Sequence, residues 1–430
     1  MAVVAANPIL GIVLHAFGAT SAALCYTPQQ KLRGWSWQTY WLAQASICWF
    51  IAPIIGAWIT IPQLADVLRS APRSAMLLTF TLGIAYGIGG TAFGMAIRHI
   101  GYSLTYALAI GISCVLGTLT GPILSGSLRG ILDQRGSGWV MSGVFIGLLG
   151  TLMCGLAGRL KEVELQGGSG TTARSFAMGK GLLLCGIAGI FSAVYGIAVN
   201  DAGKPIAETA ARFGAGHWQT NVVYIFSNTG AFVTTALYCL WLSWSQKTFH
   251  EFRRAKDTFA GALPANYLMA LLTGGMWYSQ FLFYGIAHVR MGRFEFSSWA
   301  IHMLMLILFS SLAGIVMREW HGRRAHTKAA ILVGLLVVGG AVLALTYGNY
   351  LGQHPGGLEG PTDRQNTGGS RYETVWDGHW IEAGADRAIP ETARGGLAGC
   401  PQDDGRVQHP ELFDLPSSTA GWEPLSVQLL

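Results

Sequence analysis

The sequence predicts an all-α membrane protein with about ten transmembrane helices, laid out as two inverted five-helix repeats. Three observations predict it. Residues 1–350 form a train of apolar stretches, each close to the ~20 residues a helix needs to cross ~30 Å of hydrocarbon. Charged residues make up 12% of the chain and apolar residues 51%, against ~25% charged in soluble domains. Short motifs in the first half also recur in the second. Lipid provides no partner for backbone N–H and C=O groups, so stretches of this kind cross a bilayer only as helices.

In order, the apolar stretches are Pro8–Pro28, Tyr40–Pro62, Ser74–Ile97, Tyr102–Leu124, Trp139–Gly158, Lys180–Asn200, Gln219–Trp244, Gly261–Ala287, Phe296–Met317 and Lys328–Tyr350. The first is expected to be retained as a helix: no basic residue precedes it, and its apolar run is too long for a cleaved signal. Glycines spaced in fours, such as Gly83/Gly87, Gly117/Gly121 and Gly143/Gly147, suit close packing of helices in lipid. Residues 351–430 hold no spanning run and many Gly and Pro, and are expected to form a disordered polar tail.

Charge divides at the same point. Up to Tyr350 there are 23 Lys/Arg and 10 Asp/Glu, whereas the remainder holds 5 and 12. Basic residues of the body fall between the spans, where they act as topology signals, so nucleic acid is not an expected partner. Loops after odd-numbered spans carry 15 Lys/Arg and loops after even-numbered spans carry 8. The excess predicts cytoplasmic odd loops and both termini in the periplasm.

Gly18-Ala19-Thr20-Ser21-Ala22-Ala23 in the first span is echoed by Gly189-Ile190-Phe191-Ser192-Ala193-Val194 in the sixth. Phe93-Gly94-Met95-Ala96 is likewise echoed by Tyr284-Gly285-Ile286-Ala287. Residues 1–165 and 175–350 are therefore the expected repeats. Five spans per half force the second copy to enter from the opposite side, a common plan of secondary transporters with a substrate site near the midplane.

Nucleotide and hydrolytic motifs (GxxxxGK[ST], HExxH, GxSxG) do not occur, and the seven cysteines have no metal-binding spacing. Neither enzymatic activity nor a cofactor is expected. The polar residues inside the spans are more telling. In the eighth span Trp277, Gln280, Phe281, Tyr284 and His288 share one helical face, and in the ninth Glu295, Trp299 and His302 do. Asn221, Tyr224 and Asn228 share a face in the seventh, and His15 lies one turn before Gly18 in the first. Aromatic planes take the C–H surface of a sugar, while amides and imidazoles match its hydroxyls. The expected substrate-binding residues are His15, Asn228, Trp277, Gln280, Tyr284, Trp299 and His302. The same faces also suit interfacial belts and interhelical bonds.

A carboxyl at membrane depth is costly when charged and so can carry a proton. Glu295 is the first candidate, with His302 two turns further along the same face. Glu295 alternatively belongs to the Arg290–Glu295 loop and pairs with Arg293.

Several of these stretches resemble the L-rhamnose–proton symporter family. They include Gly18 to Pro28 with Gly34-Trp35-Ser36-Trp37, Tyr86-Gly87-Ile88-Gly89-Gly90, and Gly274-Gly275-Met276-Trp277-Tyr278 with Gln280-Phe281. Ser298-Trp299-Ala300-Ile301-His302-Met303 and Arg318-Glu319-Trp320 complete them. Gln38 departs from the resemblance, which leads to Glu at that position. The resemblance spans about Asn7 to Tyr350. It implies the drug/metabolite transporter fold and uptake of L-rhamnose or a close deoxysugar with a proton across the bacterial inner membrane. An exporter or exchanger of another small polar metabolite, or a non-transporting sensor or scaffold, is the alternative function compatible with the same sequence.

Overall fold

The computed structural model describes residues 4–25, 27–100, 102–166, 178–254, 262–318 and 320–353. The expected tail beyond residue 353 lies outside them. All regular structure among the described residues is helical. The elements are α1 (Pro8–Leu24), α2 (Trp37–Ala45), α3 (Ala52–Thr60), α4 (Leu64–Ser70), α5 (Arg73–Ile100), α6 (Tyr102–Leu124), α7 (Leu128–Leu132) and α8 (Ser137–Gln166). Then come α9 (Met178–Ile197), α10 (Lys204–Arg212), α11 (Asn221–Ser245), α12 (Ala262–His288), α13 (Ser298–Val316) and α14 (Ala325–Gln353).

Local chemistry sets several boundaries. The Asn7 side chain accepts from the Leu10 N–H at 3.0 Å, and Pro8 occupies the first turn of α1, where an N–H would be unpaired anyway. A π-helical segment, Ser46–Ile51, joins α2 to α3 in one continuous span, and Pro53 just beyond it removes a ladder donor. A second π segment, Ala198–Ala202, joins α9 to α10, again shortly before a proline, Pro205.

Nine helical spans among the described residues are long and apolar enough to cross a membrane. The sequence predicts ten. The missing one is α12, a 27-residue helix carrying Asn266, Thr273, Gln280 and His288. It runs the same height as its neighbours. At one end the Asn266 amide donates to the Arg33 carbonyl at 2.7 Å, and at the other Arg290 accepts from the Asn7 N–H at 2.9 Å. These two contacts define an Arg33 end and an Asn7 end of the bundle.

Packing is inside-out relative to a water-soluble protein. Trp58, Ile59, Leu183, Trp244, Val316 and Leu343 are exposed, while His15, Gln44, Asn228, Gln280 and His302 are buried. α1 packs on α12 and α13, and α9 packs on α5 and α6. α11 crosses α5 closely enough that a Cβ on Gly83 would strike the Ser227 carbonyl and one on Gly230 the Phe80 carbonyl. Small residues that let backbones approach replace the hydrophobic drive that lipid removes.

Candidate functional site

The bundle's polar centre is built from single turns of α1, α5, α9, α11, α12 and α13. His15 on α1 is completely buried, its ring 5.2 Å from that of Tyr284 and 5.7 Å from that of His302. Neither His15 ring nitrogen has a hydrogen-bond partner among the described residues, and Nδ1 of His302 has none either. One turn after His15, a Cβ on Gly18 would lie 3.1 Å from the Gln280 carbonyl and 3.2 Å from Cε1 of His302. Glycine at this position is what lets α1 close on both α12 and α13.

Trp299 forms a second wall. Its indole N–H donates to the Ser113 carbonyl at 3.1 Å and lies 3.2 Å from the Ser113 hydroxyl. That hydroxyl donates in turn to Ser192 at 2.8 Å. The ring lies against Gly117 on α6 and Gly196 on α9, where any side chain would meet it. Tyr284 exchanges hydrogen bonds with the Asn200 amide at 2.8 and 3.0 Å, and its ring meets Trp299 edge-on at 5.7 Å. Asn200 falls in the second π segment, so that irregular turn delivers an amide to the site.

These walls enclose a cavity of about 40 Å³, room for ~3 waters. Gln280, Tyr284, Trp299 and His302 line it, joined by Tyr86, Ser192, Tyr195, Val199, Tyr224 and Met303. Asn228 stands behind Tyr195, which donates its hydroxyl to the Asn228 Oδ1, while Nδ2 of the same amide has no partner among the described residues. Of the seven sugar-binding residues expected from sequence, four therefore line the cavity, and His15 and Asn228 touch its walls.

Trp277 sits apart. It packs edge-on against Trp49 at 5.2 Å and Trp41 at 5.7 Å, closer to the Arg33 end. Glu295 also lies away from the cavity. It belongs to a 3-10 turn, Gly292–Ser297, broken by non-helical angles at Phe294, so it does not continue the α13 face of Trp299 and His302. Its carboxylate meets Lys204 at 3.0 Å, with the side chain 44% exposed. The pairing is with Lys204 of α10, not with Arg293.

Sequence reading passed over Tyr195, Ser192, Val199 and Trp49. Ser192 and Tyr195 are i, i+3 in α9, and Val199 follows one turn on in the π segment that continues it. In a predominantly apolar helix rich in Gly, Ala, Leu and Ile, one tyrosine and one serine carry little signal.

A chamber of buried amides, imidazoles and aromatic rings within a multi-span helical bundle defines a multi-pass membrane transport protein, not an enzyme. More narrowly, the chain belongs to the L-rhamnose-proton symport protein family, whose profile matches residues 4–349. It is 32% identical over 335 residues to an L-rhamnose-proton symporter of Yersinia pestis, covering 77% of this chain and 95% of that one. A symporter of the same description from Cronobacter sakazakii is 32% identical over 334 residues, covering 76% and 94%.

Proposed function

We propose that this chain imports L-rhamnose, or a close 6-deoxysugar, with a proton across the bacterial inner membrane. The observation that carries the reading is the set of polar atoms at the chamber that have no partner among the described residues: both nitrogens of His15, Nδ1 of His302 and Nδ2 of Asn228. Buried polar groups are nearly always hydrogen-bonded, so a cluster of exceptions marks a place where a hydroxylated solute or water completes the network. Tyr195, Phe281, Tyr284 and Trp299 supply faces for the sugar's C–H surface. At about 40 Å³ the cavity is smaller than a hexose. Admission of the sugar then requires helices to part, as alternating access demands. Family membership supports this substrate over that of an exporter, exchanger or sensor.

The reading includes ten spans in two inverted repeats, residues 1–165 and 175–350, with α12 as the eighth span. The packing pattern supports it. Exchanging the halves converts the α1–α12 and α1–α13 contacts into α9–α5 and α9–α6 contacts, and all four are present. Basic loops support an Arg33 end in the cytoplasm and both termini in the periplasm. The proton is assigned to Glu295 at the Asn7 end and to His302 within the chamber. His288 and Tyr284, whose rings stack 5.8 Å apart, lie between them.

Counterflow of labelled L-rhamnose in proteoliposomes, followed by accumulation under an imposed pH gradient, tests the reading. Absence of both processes in wild-type protein would sink it.

A further inference from the structure

The chamber leaves a second group of buried polar atoms unused. Gln44 on α2 is completely buried, and neither its Oε1 nor its Nε2 has a partner among the described residues. Trp49 is 2% exposed, and its indole N–H has no partner either. In an α-helix, residues five apart do not share a face. The π segment Ser46–Ile51 changes this: the Ala52 N–H bonds to the Ile47 carbonyl, an i→i+5 closure that widens the turn. Within this widened segment the Trp49 indole lies against Trp277 of α12, 5.2 Å between ring centres.

The stretch that carries both residues packs on α12. A Cβ on Gly274 would lie 2.8 Å from the Gln44 backbone carbonyl and 2.7 Å from the Ile47 Cβ, so the two helices are in close contact here. One turn further on, Trp277 meets Trp49 and Trp41 edge-on. Trp49 also meets the ring of Tyr86 at 6.0 Å, and Tyr86 is part of the chamber wall. Along α12, Gly274 and Trp277 precede Gln280 and Tyr284. The group therefore lies between the chamber and the Arg33 end.

We propose that Gln44 and Trp49, with the rings of Trp41 and Trp277, form a second sugar subsite on the Arg33 side of the chamber, joined to it at Tyr86. It rests on the sugar-transport reading and adds to it a second set of contacts. The Gln44 amide presents one acceptor and a pair of donors, which match two adjacent hydroxyls of a pyranose. The Trp49 N–H is a donor only and takes a hydroxyl or ring oxygen. Trp41 and Trp277 present indole surface to the C–H face. A sugar leaving His15 and His302 toward the Arg33 end meets these groups next.

L-rhamnose binding to the purified full-length protein, measured by calorimetry alongside thermal unfolding, tests the subsite in Gln44→Leu and Trp49→Phe. Each change removes unpartnered polar atoms and keeps the apolar bulk, so both variants should unfold no earlier than wild type without sugar. Each should bind L-rhamnose at least three-fold more weakly and slow its counterflow. Affinity within two-fold of wild type and unchanged counterflow in both would assign these residues to packing and overturn the subsite. Should Gln44→Leu fail to insert, Trp49→Phe alone decides between the same two outcomes. Absence of L-rhamnose binding by wild type is a different result: it overturns the transport reading, and with it the sugar assigned to this subsite.

Discussion

The Glu251 carboxylate accepts from the Ser36 backbone N–H at 2.7 Å and from the Ser36 hydroxyl at 2.6 Å. The same oxygen takes the Thr39 hydroxyl at 2.8 Å, and the Trp35 indole donates to the Glu251 carbonyl at 2.8 Å. Ser36 stands at the N-cap of α2 yet makes no side-chain cap bond of its own. The carboxylate from the connection after α11 instead takes the N–H of the N-cap residue itself and the Ser36 and Thr39 hydroxyls, where its charge also suits the positive end of the helix. Gln38 adds a parallel tie, donating to Gln246 at 2.9 Å. The start of the second span is thus held by the seventh-to-eighth connection at the Arg33 end.

Glu251→Ala should therefore destabilise the protein. Glu251 is 1% exposed, and removing its carboxylate takes the acceptor from the buried Thr39 hydroxyl and from the half-buried Ser36 N–H and hydroxyl, at a cost of about 1–3 kcal/mol. Thermal unfolding in detergent should show a clearly lower midpoint, with Glu251→Gln falling between the variant and wild type. Identical midpoints would mean that the carboxylate does not secure α2.

Acid should loosen a second tie at the same end. Glu164 accepts from the Thr327 hydroxyl and from the Arg324 N–H, the latter at 3.0 Å. The Thr327 bond first, then the Arg324 N–H, holds the Glu164 carboxyl below the usual carboxylate range. A depressed folded-state pKa gives stability that is present above the unfolded value and lost as pH falls through the folded one. The midpoint difference between wild type and Glu164→Gln should be largest near neutral pH and shrink below the ordinary carboxylate range. A gap that stays constant down to acid pH would remove Glu164 from the pH dependence.

Much of the chamber was legible in the sequence. Period-3.6 faces on α12 and α13 brought Gln280, Tyr284, Trp299 and His302 together because polar residues in an apolar helix stand out against their background. His15 was legible for the same reason. Tyr195 and Trp49 were not, since an isolated aromatic residue in a spanning helix reads equally well as packing. The π segments escaped because periodicity assumes one turn geometry throughout. The sequence offers Glu295 either as the start of the α13 face or as part of the Arg290–Glu295 loop; it lies in the Gly292–Ser297 turn, and its partner Lys204 lies 91 residues away, beyond the reach of any local pattern. The shortfall at α12 has the opposite cause: the polar residues that build the site lower the hydropathy of the helix that carries them.

Binding by the chamber should depend on its imidazole and amide groups. A hydrogen bond to a sugar hydroxyl contributes about 0.5–1.5 kcal/mol, so His302→Ala and Gln280→Ala should each weaken L-rhamnose binding roughly two- to ten-fold. Insertion should be normal, since neither side chain anchors a helix end. Wild-type affinity in both variants would return these faces to helix packing.

Gly117→Ala tests the chamber wall from behind. The added methyl would lie 2.5 Å from Nε1 of Trp299, far inside van der Waals contact, and the indole is held by Ser113 on the same helix. Overpacking of this kind typically costs about 1–3 kcal/mol. The ring must move into the cavity, so counterflow should fall more than expression does. Unaltered transport would mean that Trp299 has room to shift without narrowing the chamber.

Coupling is the remaining requirement. Uphill uptake needs a group whose protonation differs between the two faces of the cycle, and Glu295 sits where such a group can exchange protons with solvent: half-exposed at the Asn7 end, 3.0 Å from Lys204. An exposed pair of this kind contributes only ~0–1 kcal/mol to stability, so its removal should leave folding intact. Protonation of Glu295 breaks the pair with Lys204, whose other acidic neighbours are Asp201 and Glu208, and so shifts the charge balance at the Asn7 end between loaded and empty states. Glu295→Gln fixes the protonated condition. It should retain exchange of L-rhamnose down its own gradient and lose accumulation driven by an imposed pH gradient. Exchange and accumulation must be measured on the same vesicles, since loss of both would report damage to the site and not to coupling. Accumulation that survives in the variant would exclude Glu295 as the carrier and leave His302 or His15, the deeper titratable groups, to bind the proton.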